Sequence, residues 1–497
     1  MSAVAPPLKV LLEMRTALEA DSGLGTVSRL LFRSLSSLDG VHVEGLLQSV
    51  DRHLAEGLPA GGRASRLDAA DIIYRLGQVV ITLEDEASAT WPAGLRTVRM
   101  ALGRLLGASH ELTRFEARFF QDYVWRRLFA RTLPPTDFDV VTRASYRVMR
   151  IPWNALHICA YVTGRMGLPV FARLDTADFD LMICETPYPG TVSRGTQLVI
   201  HYHDAIPVLM PHTISKQQYH QAFHYQALRR NVTSGAWFVC VSEAVRQDLL
   251  AIFPQVDARS VTIHNMVSPL YFDEPSEPAR VPQIIAARLN TQVDPPLDAG
   301  FTRGLFSGHA LSGPIDYLLM VSKIEPRKNH LTLLSAWERL RSERYPGLKL
   351  LVVGPVGLRQ EAILRRFRPW LDRGEVFLLR DLSAAEIRVL YKHARATLCP
   401  SFSEGFDLSG VEAMKSGGAV IASDIPTHRE IFADAAEFFN PYRVSDLCRA
   451  VGDVIDPAHA ARREELVRNG AAVCKRYDED VILPRWEAFL RARAVAS

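Results

Sequence analysis

Ser403-Glu404-Gly405-Phe406-Asp407-Leu408-Ser409-Gly410-Val411-Glu412-Ala413-Met414 sets two carboxylates eight positions apart around a glycine turn and a helix start. The run before it, Ala396-Thr397-Leu398-Cys399-Pro400-Ser401, reads as a buried strand ended by proline. After it, Lys415-Ser416-Gly417-Gly418 stops a helix and Ala419-Val420-Ile421-Ala422 begins another strand. Glu404 therefore belongs to the loop at the carboxyl end of a strand, and Glu412 lies about one turn into the next helix. In an open α/β sheet ligands bind at that end. The unpaired N–H groups of the helix start suit a phosphate there. Alone, such a glutamate pair reads as solvated or capping side chains; the surrounding Pro-Ser-x-x-Glu-Gly-Phe and Glu-Ala-Met-x-x-Gly give it weight.

Outward from this stretch, strand and helix patterns alternate in both directions. Upstream, strands are expected at Tyr317–Val321, Lys349–Gly354 and Val376–Leu378, with a helix over His330–Arg341. In the first half, strands are expected at Lys9–Met14, Phe179–Cys184, Gln197–Tyr202, Ala236–Val241 and Ser260–Ile263. A helix over Val27–Leu38 follows the glycine turn Ser22–Thr26. Alternation of this kind predicts parallel, doubly wound sheets. The fold class is thus α/β, two Rossmann-like domains facing across a cleft. The first is expected over 1–282, with an arginine-rich helical insertion at about 55–150. Proline and glycine clustering marks 283–313 as linker or insertion. The second domain is expected over 314–475, with a C-terminal helix over 476–497 packing back toward the first.

At 497 residues the chain exceeds one ordinary core. A formal net charge of +3 gives no ground for a nucleic-acid partner. Six scattered cysteines without C-x-x-C spacing read as buried thiols of a reducing cytoplasm. Met1–Pro7 is short and neutral and leads at once into a strand, so no signal peptide is expected. No apolar run approaches the ~20 residues that span a bilayer.

The 403–414 segment resembles the E-x7-E motif of the large retaining glycosyltransferase family with two Rossmann-like domains (the GT-B architecture, family GT4). The resemblance makes Glu412 the ribose ligand and Glu404 the donor-sugar contact. It also puts Gly405, Phe406, Asp407 and Leu408 at the donor. Asp407 stands where the family carries a glycine. Val321-Ser322-Lys323-Ile324-Glu325-Pro326-Arg327-Lys328-Asn329-His330 follows a strand and opens a helix, so its three cations could clamp a diphosphate on which charge develops. It resembles the Glu-Pro-Arg-Lys-Asn stretch of mannosyltransferase-like members, which makes Lys328 and Lys323 phosphate ligands. Arg327 matches less closely, and a solvated cationic loop is the competing reading.

Gly23-Leu24-Gly25, after the first strand, resembles the family's glycine loop at the donor phosphate, although most G-x-G turns merely connect a strand to a helix. His201-Tyr202-His203-Asp204-Ala205-Ile206-Pro207 resembles its His-Asp-Leu-x-Pro element. That makes His203 a donor-sugar neighbour, with Asp204 orienting the loop and His201 structural. Ser242 reads as a helix cap, and Ile263–Val267 as the close of the first domain.

Two D-x-D patterns, Asp137/Asp139 and Asp178/Asp180, precede apolar strands rather than follow them, so no metal is expected. Residues 113–131 alternate aromatic and arginine residues. Two readings stay open there: a basic amphipathic helix on anionic membrane, or a surface helix whose aromatics enter the core.

The resemblance implies a metal-independent retaining transferase in polysaccharide biosynthesis, cytoplasmic, with a peripheral place on the inner membrane face as the other option. It would have no cofactor. Its substrates would be a nucleotide-diphosphate sugar, GDP-mannose first, and a glycan or lipid-linked acceptor. A sugar-nucleotide epimerase of the same architecture and a catalytically silent nucleotide-binding scaffold are the alternatives.

Overall fold

The computed structural model describes residues 6–19, 23–59, 67–84, 103, 107–214, 217–290, 314–357 and 359–494. The first large sheet holds β1 (Leu8–Glu13), β2 (Val41–Leu47), β3 (Thr113–Glu116), β4 (Ser145–Val148), β6 (Leu181–Cys184), β8 (Gln197–Tyr202), β9 (Trp237–Cys240) and β10 (Ser260–Thr262). Between them β5 (Ala172–Arg173) and β7 (Gly190–Thr191) pair separately. The order is β10-β9-β8-β6-β1-β2-β4-β3, parallel except for β3 on β4.

The second sheet holds β11 (Tyr317–Val321), β12 (Lys349–Val353), β13 (Val376–Leu379), β14 (Ala396–Cys399), β15 (Val420–Ser423) and β16 (Ala436–Phe439). Its order is β13-β12-β11-β14-β15-β16, parallel throughout. Helices cover both faces, which is why runs such as Leu350-Leu351-Val352-Val353 are continuously apolar and buried.

Among the parallel strands, chain direction across each sheet reverses at one place, between β1 and β6 in the first and between β11 and β14 in the second. Such switch points leave a crevice at the carboxyl ends of the strands. Lys323 and Lys328 follow β11, Glu404 follows β14, Glu13 ends β1, and His203 follows β8.

Several elements differ from the sequence reading. The helical insertion expected at about 55–150 contains the antiparallel pair β3 and β4. Part of it (60–66, 85–102, 104–106) lies outside the described residues. Thr113–Glu116 is strand, not helix, because Phe115 alternates inward onto Tyr146 while Arg114 and Glu116 face outward. Phe115, Leu128 and Phe129 are core, which answers the aromatic stripe; Phe119 stays exposed beneath Arg118. Membrane contact through 113–131 therefore has little apolar surface to work with. Among the described residues, no helix is long and apolar enough to cross a membrane.

The glycine turn is itself helix: Gly23–Ser36 starts at Gly23. In the expected linker, Arg280–Arg288 is a helix packed on the second domain, with Arg288 paired to Glu386 at 2.8 Å. Pro282 is tolerated there because first-turn N–H groups have no intrahelical acceptor. Residues 291–313, the rest of that stretch, lie outside the described residues. The helix Glu479–Ala494 lies on the first domain, where Ile482, Trp486, Phe489 and Leu490 join the core built on β1 and β6.

Candidate active site

Glu404 is the centre of the second-domain half. It follows β14, its side chain is 8% exposed, and Arg327 Nη1 lies 2.8 Å from Oε2. Lys328 Nζ is paired with Oε1, and the Ser401 hydroxyl donates to the same oxygen at 2.6 Å. Burial pushes the Glu404 carboxyl up, but Arg327 and Lys328 outweigh it and hold it below its ordinary value. Arg327 thus faces an acidic partner rather than solvent.

The loop that delivers these cations is locked by Asn329. Its backbone adopts φ 61°, in the left-handed region that Asn tolerates. Its side-chain amide donates to Pro400 O and Pro441 O, both at 3.0 Å. That ties the β11 loop to the β14 loop, a job the sequence reading did not assign. Lys323 is half-buried and makes no hydrogen bond or ion pair among the described residues.

Around Glu412 the surroundings are drier. It sits in the helix Leu408–Lys415 beneath two tyrosines, with Tyr391 Oη 3.4 Å from Oε2 and Tyr271 also hydrogen-bonded to it. Burial, helped by the Asp407 charge, pushes its carboxyl up to about 8.

In the first domain, His203 Nε2 lies 2.8 Å from Glu185 Oε2, and His201 Nδ1 is 3.0 Å from the same oxygen. Glu185 immediately follows β6 and is fully buried. The sequence reading missed it, because the partners that give it a role come from β8 rather than from its own neighbours in the chain. Asp204 accepts the Ile206 N–H at 3.0 Å, turning the loop.

The two halves meet. A Cβ on Gly405 would lie 3.6 Å from the Asp204 Cβ, and one on Gly23 would lie 3.6 Å from Leu408 Cδ1. Gly25 is buried two residues further along the same helix as Gly23. Ser242 caps its helix through the Val245 N–H at 3.2 Å and also donates to Gly405 O at 2.7 Å. His264 reaches across to Glu430 at 2.8 Å. The site is therefore a seam between domains, with cations on one side and the histidine pair on the other.

Two residues expected at the donor point elsewhere. The Phe406 ring is buried edge-on to Tyr477 at 5.0 Å and beside His264, so it packs the seam rather than lining an open site. Asp407 (φ 62°) turns its carboxylate inward to His428 Nε2 at 3.1 Å and the Ser409 hydroxyl at 2.6 Å. Those bonds outweigh burial and hold it well below the usual carboxylate range. The charge it adds is thus absorbed within the second domain.

Both D-x-D patterns are occupied: Asp178 by Arg147, Asp180 by the Lys9 N–H, Asp137 by Arg33 and Asp139 by Arg143. Among the described residues, one group has the make-up to hold an ion. It is Glu185, His201 and His203, whose ligand atoms all lie within 4.8 Å of one another.

Solved structures share this two-domain arrangement along the whole chain. Sucrose-phosphate synthase from Thermosynechococcus elongatus superposes with TM-score 0.58 at 14% identity, covering 99% of this chain and 100% of that one. Anabaena HepE in complex with UDP and glucose superposes at 0.54 and 15% identity, covering 98% and 100%. The fold and its paired switch points are those of the GT-B architecture.

The family model of the glycosyl transferases group 1 matches residues 308–473, which include most of the second domain. Among curated relatives, the serotype-specific mannosyltransferase WbdA of Escherichia coli is 33% identical over 142 residues, 28% of this chain and 17% of that protein. The O-antigen chain mannosyltransferase B of Escherichia coli is 32% identical over 128 residues, 25% of this chain and 33% of that protein. The matched stretch thus spans at most a third of either relative.

Proposed function

We propose that this glycosyltransferase is a retaining, metal-independent hexosyltransferase. It takes a nucleotide-diphosphate sugar, GDP-mannose first, and delivers the hexose to a glycan or lipid-linked glycan in polysaccharide biosynthesis at the cytoplasmic face. The observation that carries the reading is the convergence of Arg327 and Lys328 on Glu404 at the switch point of the second sheet, opposite His203. The mannose donor draws its support from the mannosyltransferase names of the relatives.

In this reading Lys328 and Lys323 neutralise the diphosphate as it departs with the bonding electrons, which lowers the barrier electrostatically. Glu412 takes the ribose hydroxyls. Glu404, kept ionised by its two cations, accepts hydrogen bonds from sugar hydroxyls rather than supplying protons. His203 and the glycine turn at Gly23 and Gly25 close the seam over the sugar and phosphates.

A transfer assay with GDP-mannose and other nucleotide sugars, against lipid-linked oligosaccharide acceptors, tests the reading. An α-mannosylated product from GDP-mannose supports it. Turnover of the nucleotide sugar to its epimer without any acceptor would replace it with the epimerase reading.

A further inference from the structure

β8, β6 and β1 are neighbours in the first sheet, and each ends on ionisable groups: His201 and His203, Glu185, and Glu13. Both carboxylates are 0% exposed. Glu13 accepts the Glu185 backbone N–H at 3.1 Å and is neutralised by Arg15 at 2.7 Å. Arg15 in turn donates to the Thr186 hydroxyl at 2.8 Å. Burying charges costs free energy that apolar residues would not incur, so a cluster at a switch point asks for a use.

Two ring nitrogens, His201 Nδ1 at 3.0 Å and His203 Nε2 at 2.8 Å, converge on the single oxygen Oε2 of Glu185. An ionised carboxylate only accepts hydrogen bonds. The ring nitrogen that each histidine turns to it therefore carries the hydrogen. His201 is buried, and its Nε2 has no hydrogen-bond partner among the described residues. Its ring meets the Trp486 ring edge-on at 5.2 Å. A second N–H on that ring would be stranded, so His201 is neutral with its hydrogen on Nδ1. His203 engages the same oxygen through the other nitrogen, Nε2.

We propose that Glu185 is a positioning residue for the donor end of the site. Its one oxygen fixes the two histidines in opposite tautomers, His201 protonated on Nδ1 and His203 on Nε2, leaving Nδ1 of His203 to accept a donor-sugar hydroxyl. The sugar contact rests on the function proposed above; the tautomer assignment does not.

The test is two-bond proton–nitrogen correlation NMR on the full chain with nitrogen-15 histidine, the two rings assigned from His201→Gln and His203→Gln. Opposite tautomers are expected. Glu185→Gln keeps the volume and one accepting oxygen but turns a donor toward one ring. It should stay folded, change the tautomer of one histidine, and lower kcat roughly 10- to 100-fold while the donor KM moves by less than about threefold. The same tautomer on both rings would overturn the proposal. So would a folded Glu185→Gln with unchanged kcat, or one equivalent of zinc lost on replacing any of the three residues. If the protein transferred no sugar at all, the function would fail while the spectrum still decided the tautomers.

Discussion

Gly405 of the second domain lies flat against His203 of the first: a Cβ on Gly405 would come within 1.8 Å of the His203 carbonyl oxygen. Only glycine lets the two backbones approach this closely. The contact joins the loop that carries Glu404 to the loop that carries His203, so the spacing of the two half-sites is set by backbone rather than by adjustable side chains.

Gly405→Ala should therefore open the seam without unfolding either domain. Transfer should fall by about 10-fold or more, the scale on which catalysis responds to misplacement of about an ångström. Circular dichroism should be unchanged and small-angle scattering should report a larger radius of gyration. Wild-type turnover in the alanine variant would mean that the seam yields without cost.

Lys328 and Arg327 share Glu404, so an arriving diphosphate competes with that carboxylate for Lys328. Replacing Lys328 by Ala should lower kcat/KM by ~10²-fold, as expected for losing a charge contact made in the transition state. Lys323→Ala should weaken nucleotide binding, since Lys323 has no partner among the described residues. Steady-state kinetics and calorimetry separate the two; near-normal kcat/KM in the Lys328 variant removes it from the site.

Glu412 and Glu404 should part in their ligands. Glu412→Ala is expected to weaken free nucleoside diphosphate and nucleotide sugar alike by roughly 1–3 kcal/mol, the cost of unpaired ribose hydroxyls. Glu404→Ala should spare the free nucleotide and reduce transfer. Titration of both variants with both ligands would show the roles reversed if the Glu404 variant lost the nucleotide and the Glu412 variant kept it.

Glu412 also predicts a pH dependence. Its carboxyl is raised from 4.5 to about 8 in the fold, so between those values the native state holds a proton that the unfolded state has released. Its contribution is fully present below about pH 4.5 and is lost as pH rises through about 8. Glu412→Gln, which cannot ionise, should gain melting temperature relative to the parent as pH goes from 5 to 9. A difference that stays flat over that range would place the Glu412 carboxyl near its ordinary value.

Excess EDTA should leave the transfer rate unchanged. Activity lost to the chelator and restored by manganese or magnesium would turn attention to Glu185, His201 and His203.

Most of the second domain could be read from the chain, because its strands are covered on both faces and are written as uninterrupted apolar runs flanked by glycine and proline. The first domain was harder. β2 alternates Val41, Val43 and Gly45 inward with polar neighbours and carries a glycine, and β3 lies at a sheet edge where only Thr113 and Phe115 look inward. Of the site, residues in local motifs were legible: Glu404, Lys328, His203. Glu185 was not, because its partners come from β8 and no local pattern encodes a contact across strands. The inward turn of Asp407 depends on His428, twenty-one residues away, and was equally hidden.

The return of Glu479–Ala494 onto the first domain sets an order of assembly. Trp486, which braces His201, belongs to a segment made after the whole second domain. During synthesis the first sheet must wait with part of its apolar face open until that helix arrives. Any attempt to produce the first domain alone would have to supply residues 479–494 as a separate strap or by rejoining the chain.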